Sequence, residues 1–159
     1  MQYEQSVLRR LQVVELEILA AIDCVCREYG ITYFLDSGTV LGARRHGGFI
    51  PWDDDIDLGM PRDDYERFLE VAPAALGKRF RVTCSRSNPH QAALFSKVML
   101  VGTRFVTDET EEAGFDQGIF CGHFFRMTPF ALSRMRRSGS VSAARCGRAS
   151  RTYIIPSTL

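Results

Sequence analysis

The sequence predicts an α+β fold in which helices pack on one face of a sheet. One observation is that residues 4–29 carry apolar side chains three and four positions apart, which is typical of an amphipathic helix. We assign its buried face to Leu8, Leu11, Val14, Ile18, Ile22, Val25 and Tyr29. The other is that stretches rich in β-branched and aromatic residues predict strands at residues 31–35, 80–84, 93–101 and 103–107. Pro61 suits the first position of a second helix that runs through roughly Ala72.

The segment 36–46 follows the first predicted strand and is rich in small residues. Gly30, at the end of the first helix, predicts a left-handed cap before that strand. In Ser37-Gly38-Thr39 the backbone could approach a ligand closely, a short helix could begin, and its amides could bind a phosphate. An ordinary turn is the alternative for these three residues. The basic residues that follow, Arg44 and His46 among them, favour anion binding only slightly.

Four carboxylates lie within five positions at Asp53, Asp54, Asp55 and Asp57. In an extended strand Asp53, Asp55 and Asp57 would share one face. Their mutual repulsion would be relieved by protonation or by a bound cation, and hard oxygen ligands suit Mg²⁺ or Mn²⁺. The sequence therefore predicts a divalent metal site on an acidic strand.

Two other interpretations of this acidic stretch are weaker. A solvated acidic turn would not need the apolar residues that are interleaved with the carboxylates, such as Ile56 and Leu58. A calcium-binding EF-hand loop needs glycine at its sixth position, where this chain has Leu58, and Pro61 would interrupt it.

Composition places the chain among ordinary soluble proteins: 159 residues, 45% hydrophobic and 25% charged. Its five cysteines include no Cys-x-x-Cys pair, so we expect reduced thiols and neither a disulfide framework nor a zinc knuckle. No apolar run approaches the roughly 18 residues of a membrane span. We expect a cytoplasmic protein without a transmembrane segment.

The last part of the chain differs in composition from the rest. No Asp or Glu follows Asp116, whereas seven Arg do, which leaves residues 1–116 at net charge −6. Residues 126–151 show no sustained periodicity. We divide the chain into a core, residues 1–120, and a basic tail, residues 121–159, that is disordered or frameshifted. Binding of nucleic acid or anionic lipid by this tail is the less favoured alternative, and we expect no nucleic-acid partner.

The stretch from Tyr33 to Pro61, which includes Asp-Ser-Gly-Thr and Trp-Asp-Asp-Asp-Ile-Asp, resembles the LicD family of phosphorylcholine transferases and fukutin-related proteins. The resemblance runs from about Leu8 to Phe120. It implies a nucleotidyltransferase-like mixed sheet with flanking helices. It also implies metal-dependent transfer of a phospho-alcohol such as phosphocholine from a CDP-linked donor, for example CDP-choline, to a cell-surface glycan such as lipopolysaccharide or teichoic acid.

The same resemblance implies roles for individual residues. Asp55 and Asp57 would be the metal pair, with Asp53 a further ligand or a residue that orients the pair. Ser37, Gly38 and Thr39 would hold the donor phosphates, with Arg44 and His46 near the donor. A further candidate is Lys97, inside a predicted strand: it would contact phosphate if it faced the carboxylates, although a strand lysine more often extends to solvent.

The resemblance ends after Gly118-Ile119-Phe120. The family continues there with Asp-x-Phe-Pro-x-Asp, but this chain continues with Cys121-Gly122-His123-Phe124-Phe125-Arg126. Depending on the codons, residues 125–128 read in the neighbouring frame as Pro-x-Asp, so we hypothesise a frameshift that leaves the fold incomplete at its C-terminus. Two alternatives to an active transferase therefore stay open: a catalytically inactive truncated member, or a glycosyltransferase that uses a sugar nucleotide.

Overall fold

The computed structural model describes residues 4–84, 95–106 and 117–127, with side chains described as far as Gly122. It confirms the α+β class. The helices are α1 (Gln5–Tyr29), α2 (Ser37–His46) and α3 (Arg62–Ala75), and the strands are β1 (Phe34–Leu35), β2 (Leu58–Pro61), β3 (Phe80–Thr83), β4 (Ser96–Leu100) and β5 (Phe120–Met127). A 3₁₀ turn, Gly77–Arg79, connects α3 to β3.

The five strands form one mixed sheet in the order β1-β2-β5-β4-β3. The pairing of β2 with β5 is parallel, with Gly59 opposite Phe125, and the other three pairings are antiparallel. Strand β5 is therefore central, between β2 and β4. The acidic segment leads directly into β2, the neighbour of this central strand. The segment therefore lies at one end of the sheet, close to its middle.

Helices α1 and α3 pack on the sheet and enclose the core. Their buried side chains alternate with exposed polar ones at helical spacing, because each helix has one face against the strands. Gly30 ends α1 in the predicted left-handed conformation, at φ 65° and ψ 35°, and its N–H donates to the Cys26 carbonyl. The core is formed mainly by Ile18, Ile22, Val25, Leu58, Met60, Tyr65, Phe68, Val98 and Cys121.

Two strand predictions were wrong in part or in whole. The strand expected at residues 31–35 is confined to β1. The strand expected at residues 103–107 is absent over residues 103–106, and Thr107 lies outside the described residues. Gly102 turns the chain at φ 84°, and the Thr103 hydroxyl donates to the Leu100 carbonyl at 2.7 Å while accepting from the Ile119 N–H at 2.9 Å. These side-chain bonds replace the ladder that a strand would need.

The sequence analysis did not predict β5. This strand continues the sheet from Phe120 as far as Met127, across the boundary expected after residue 120. Residues 128–159 lie outside the described part of the chain, so the division into core and tail stays a prediction.

Gly59 gives a test of the β1–β2 pairing. It lies opposite Phe34, and a Cβ atom at this position would overlap the Phe34 ring. We expect Gly59→Ala to lower the free energy of unfolding by about 1–3 kcal/mol, because the ring must move in a packed environment. Gly48→Ala is the matched control, since a Cβ there meets no atom within 4 Å. Equal urea midpoints for the two variants would contradict the pairing.

Candidate active site

The acidic segment, residues 53–57, is irregular chain that precedes β2. The Asp36 N–H donates to the Asp57 carbonyl at 3.0 Å, and on the other side the Gly122 N–H donates to the Ile56 carbonyl at 2.8 Å. The segment is thus held between the end of β1 and the start of β5. The acidic strand predicted from the sequence was wrong here, because these contacts fix single points and do not form a ladder.

Three carboxylates converge in this segment. Ligand oxygens of Asp53, Asp54 and Asp55 lie within 4.8 Å of one another, and each residue is half-buried. We call these three residues the acidic cluster. Asp54 joins it because an irregular segment does not alternate its side chains between two faces, as a strand would. Asp57 lies beside the cluster and is buried, with 8% of its surface exposed.

The first turn of α2 lies against these carboxylates. A Cβ atom on Gly38 would be 2.9 Å from Asp53 Oδ2, so glycine permits this close approach. The Asp57 N–H donates to Thr39 Oγ1 at 2.8 Å, and Ser37 begins the helix at a positive φ of 48°. The free N–H groups of a helix N-terminus carry partial positive charge, which favours anions. A helix N-terminus, which attracts anions, and a group of carboxylates, which attracts cations, are therefore adjacent.

The electrostatics of the cluster favour a bound cation. Burial raises the pKa of Asp53, and the nearby carboxylates of Asp54 and Asp57 raise it further, against a backbone hydrogen bond at Asp54 that lowers it. Carboxylate oxygens at this spacing are the ligands that Mg²⁺ and Mn²⁺ accept. The donor set fits a divalent ion of this kind.

Helix α1 contributes two residues that the sequence analysis missed. Gln12 Nε2 donates to the Asp53 carbonyl at 2.9 Å. One turn later, Glu15 is buried with 3% of its surface exposed. Burial raises the pKa of its carboxyl to about 9, with Asp55, Asp54 and Asp53 as further causes in that order. The sequence contained a signal for Glu15, because it lies four residues after Leu11 and three before Ile18, at helical spacing on the buried face. The sequence analysis placed Val14 on that face instead.

The remaining predicted residues lie at the far end of α2 and on β4. Arg44 and His46 are exposed in the last turn of α2, roughly 9 Å and 12 Å along the helix axis from Gly38. Lys97 is on β4, which β5 separates from β2. Its Nζ donates to Gln117 Oε1 at 2.5 Å and lies 4.0 Å from the centre of the Phe120 ring. The donor-binding roles of these three residues stay predictions.

Comparison with known proteins identifies the segment that carries this site. Residues 30–101 match the family model described as LicD/FKTN/FKRP, nucleotidyltransferase domain. This segment belongs to the LicD family. The LicD segment includes β1, α2, the acidic segment, β2 and α3, so it contains both the cluster and the helix N-terminus beside it.

Two curated relatives illustrate the similarity. The lipopolysaccharide cholinephosphotransferase LicD of Haemophilus influenzae is 55% identical over 64 residues, which are 40% of this chain and 24% of that protein. The human ribitol 5-phosphate transferase FKRP is 39% identical over 75 residues, 37% of this chain and 15% of that protein. The matched part thus spans about a quarter or less of these relatives.

Helix length and polarity also bear on membrane insertion. Within the described ranges, no helix combines the length and apolar character needed to span a bilayer. The cytoplasmic location stays a prediction.

Proposed function

We propose that this protein carries out metal-dependent transfer of a phospho-alcohol, with phosphocholine the first candidate, from a CDP-linked donor to a cell-surface glycan. The observation that supports this most is the convergence of the acidic cluster with the N-terminal turn of α2. The relatives add the class of reaction, since their names specify a cholinephosphotransferase that acts on lipopolysaccharide and a ribitol 5-phosphate transferase.

In the proposed reaction, an acceptor hydroxyl attacks the phosphorus of the phospho-alcohol in line with the bridging diphosphate oxygen. The bond from that phosphorus to the bridging oxygen breaks, CMP leaves, and the hydroxyl proton passes to a carboxylate base. Gly38 and Thr39 bind the donor phosphates through the first turn of α2. Asp53 and Asp55 would hold a divalent cation, with Asp57 beside them. When bound, that cation neutralises the negative charge that develops on the diphosphate.

The test is CMP release by the full chain incubated with CDP-choline, Mg²⁺ or Mn²⁺ and a lipopolysaccharide acceptor. We expect CMP to appear only with a divalent cation and to stop when excess EDTA removes it. Asp55→Asn, within the acidic cluster, should lose most of this release. Asp63→Asn is its matched control: Asp63 is an exposed acid in the first turn of α3, so this variant should retain the rate. CMP is measured by chromatography. CDP-ribitol is tested as the alternative donor.

The outcomes separate the proposal from its alternatives. Release of UDP from a UDP-sugar, with no CMP from CDP-alcohols, would identify a glycosyltransferase and overturn the proposal. Cation binding without turnover of any donor would identify an inactive chain. Thermal stabilisation by CDP-choline above that by other CDP-alcohols would support phosphocholine as the transferred group, since a ligand stabilises the folded state according to its affinity.

A further inference from the structure

Helix α1 brings a buried carboxylate to the acidic cluster, and no role has yet been assigned to it. The buried face of α1 is apolar from Ile18 to Val25, but it is polar at Gln12 and Glu15, where the helix passes the acidic segment. Gln12 fixes the position of α1 there through its 2.9 Å bond to the Asp53 carbonyl. A polar patch inside an apolar helix face costs free energy unless its groups have partners.

Glu15 has one oxygen without such a partner. Its Oε2 is buried and makes no hydrogen bond to any described residue. The acidic charges that act on its carboxyl are those of the cluster, Asp55 first. On the sheet side, burial raises the pKa of the Cys121 thiol on β5, and the nearby charge of Glu15 raises it further. Glu15, on α1, therefore lies close to both β5 and the acidic cluster.

A bound cation would supply what this oxygen lacks. Divalent ions such as Mg²⁺ keep several coordinated water molecules, and carboxylates in the outer layer of a metal site commonly accept hydrogen bonds from such groups. We infer that Glu15 is the contribution of α1 to the cation site, a positioning residue whose Oε2 accepts a hydrogen bond from water bound to an ion at Asp53–Asp55. The inference rests on the metal dependence proposed above.

Mn²⁺ binding by the full chain tests this inference without measuring turnover. The electron paramagnetic resonance signal of free Mn²⁺ gives the affinity, and fluorescence locates the site, because Trp52 is the single tryptophan, is 75% exposed and precedes Asp53. We expect Glu15→Gln to weaken Mn²⁺ binding at least about 10-fold. Glu28→Gln is the matched control: Glu28 is exposed on the same helix, so this variant should bind as the wild type does.

A second variant covers failure to fold, and the outcomes are distinct. Glu15→Leu removes both carboxylate oxygens but keeps a side chain that tolerates burial, and it should lose as much Mn²⁺ affinity as Glu15→Gln. A purely structural role for Glu15 would change the melting temperature of the metal-free protein but leave Mn²⁺ affinity within about twofold of wild type, which would overturn the inference and leave the proposed function standing. A wild type that binds no Mn²⁺ would overturn both.

Discussion

Replacing Asp55 with asparagine is expected to lower CMP release at least about 1,000-fold while the metal-free protein becomes more stable. Both effects have one cause. Asp55 shares its site with two other carboxylates within 4.8 Å. After burial itself, its charge is the largest cause of the raised pKa of Glu15. In the proposed reaction, that concentration of negative charge would hold the cation that assists phosphoryl transfer, an effect of several kcal/mol. Without a cation, the same charges repel one another.

Opposite signs in the two measurements distinguish a site residue from a structural one. Turnover is measured with CDP-choline and Mn²⁺, and stability by thermal unfolding in EDTA, where we expect the melting temperature to rise by about 2–4 °C for each kcal/mol of repulsion removed. A loss of activity accompanied by a lower melting temperature in EDTA would instead indicate that Asp55 maintains the fold.

Variants of Asp54 and Asp57 distinguish between two possible sets of metal ligands, the one that the geometry suggests and the one that the family resemblance implies. The resemblance pairs Asp55 with Asp57, whereas the structure groups Asp55 with Asp53 and Asp54. If the acidic cluster alone holds the ion, Asp54→Asn should weaken Mn²⁺ binding more than Asp57→Asn. The reverse order would mean that Asp57, already adjacent through its backbone bond to Thr39, completes the site.

Local signals predicted the helices well, and long-range contacts explain what the sequence did not reveal. α1 and its Gly30 cap follow from periodicity and from the conformational freedom of glycine, which are properties of a few adjacent residues. β5 depends on its central position between β2 and β4, and its sequence lacks the alternation that marks a half-buried strand. Pattern alone could not find it.

The candidate site shows the same division. The sequence alone identified the carboxylates and the Ser-Gly-Thr turn as candidate binding groups. The structure shows that the close contact of Gly38 with Asp53 brings them together. The participation of Asp54 depends on irregular backbone, which strand geometry misrepresents. Glu15 was missed because a charged residue at an apolar position was treated as exposed, although its spacing from Leu11 and Ile18 fits the buried face.

Glu15→Leu should also change how stability depends on pH, by an amount on the order of 4 kcal/mol between about pH 5 and pH 8. The folded protein raises the pKa of Glu15 from 4.5 to about 9, so over that interval the native state keeps a proton that the unfolded chain has released. The stability due to this group is therefore complete below about pH 4.5 and is lost as pH rises towards 9.

Leucine cannot titrate, so the variant should be similar to the wild type at about pH 5 and clearly more stable at about pH 8 in urea unfolding without metal. Asp53 contributes with the same sign, since its pKa is also raised, but it remains in both proteins and cancels in the comparison. Glu28→Leu, an exposed substitution on the same helix, should follow the wild-type curve. Parallel curves for wild type and Glu15→Leu would mean that the Glu15 carboxylate is ionised in the folded protein at neutral pH, and hence that water or a cation already reaches it.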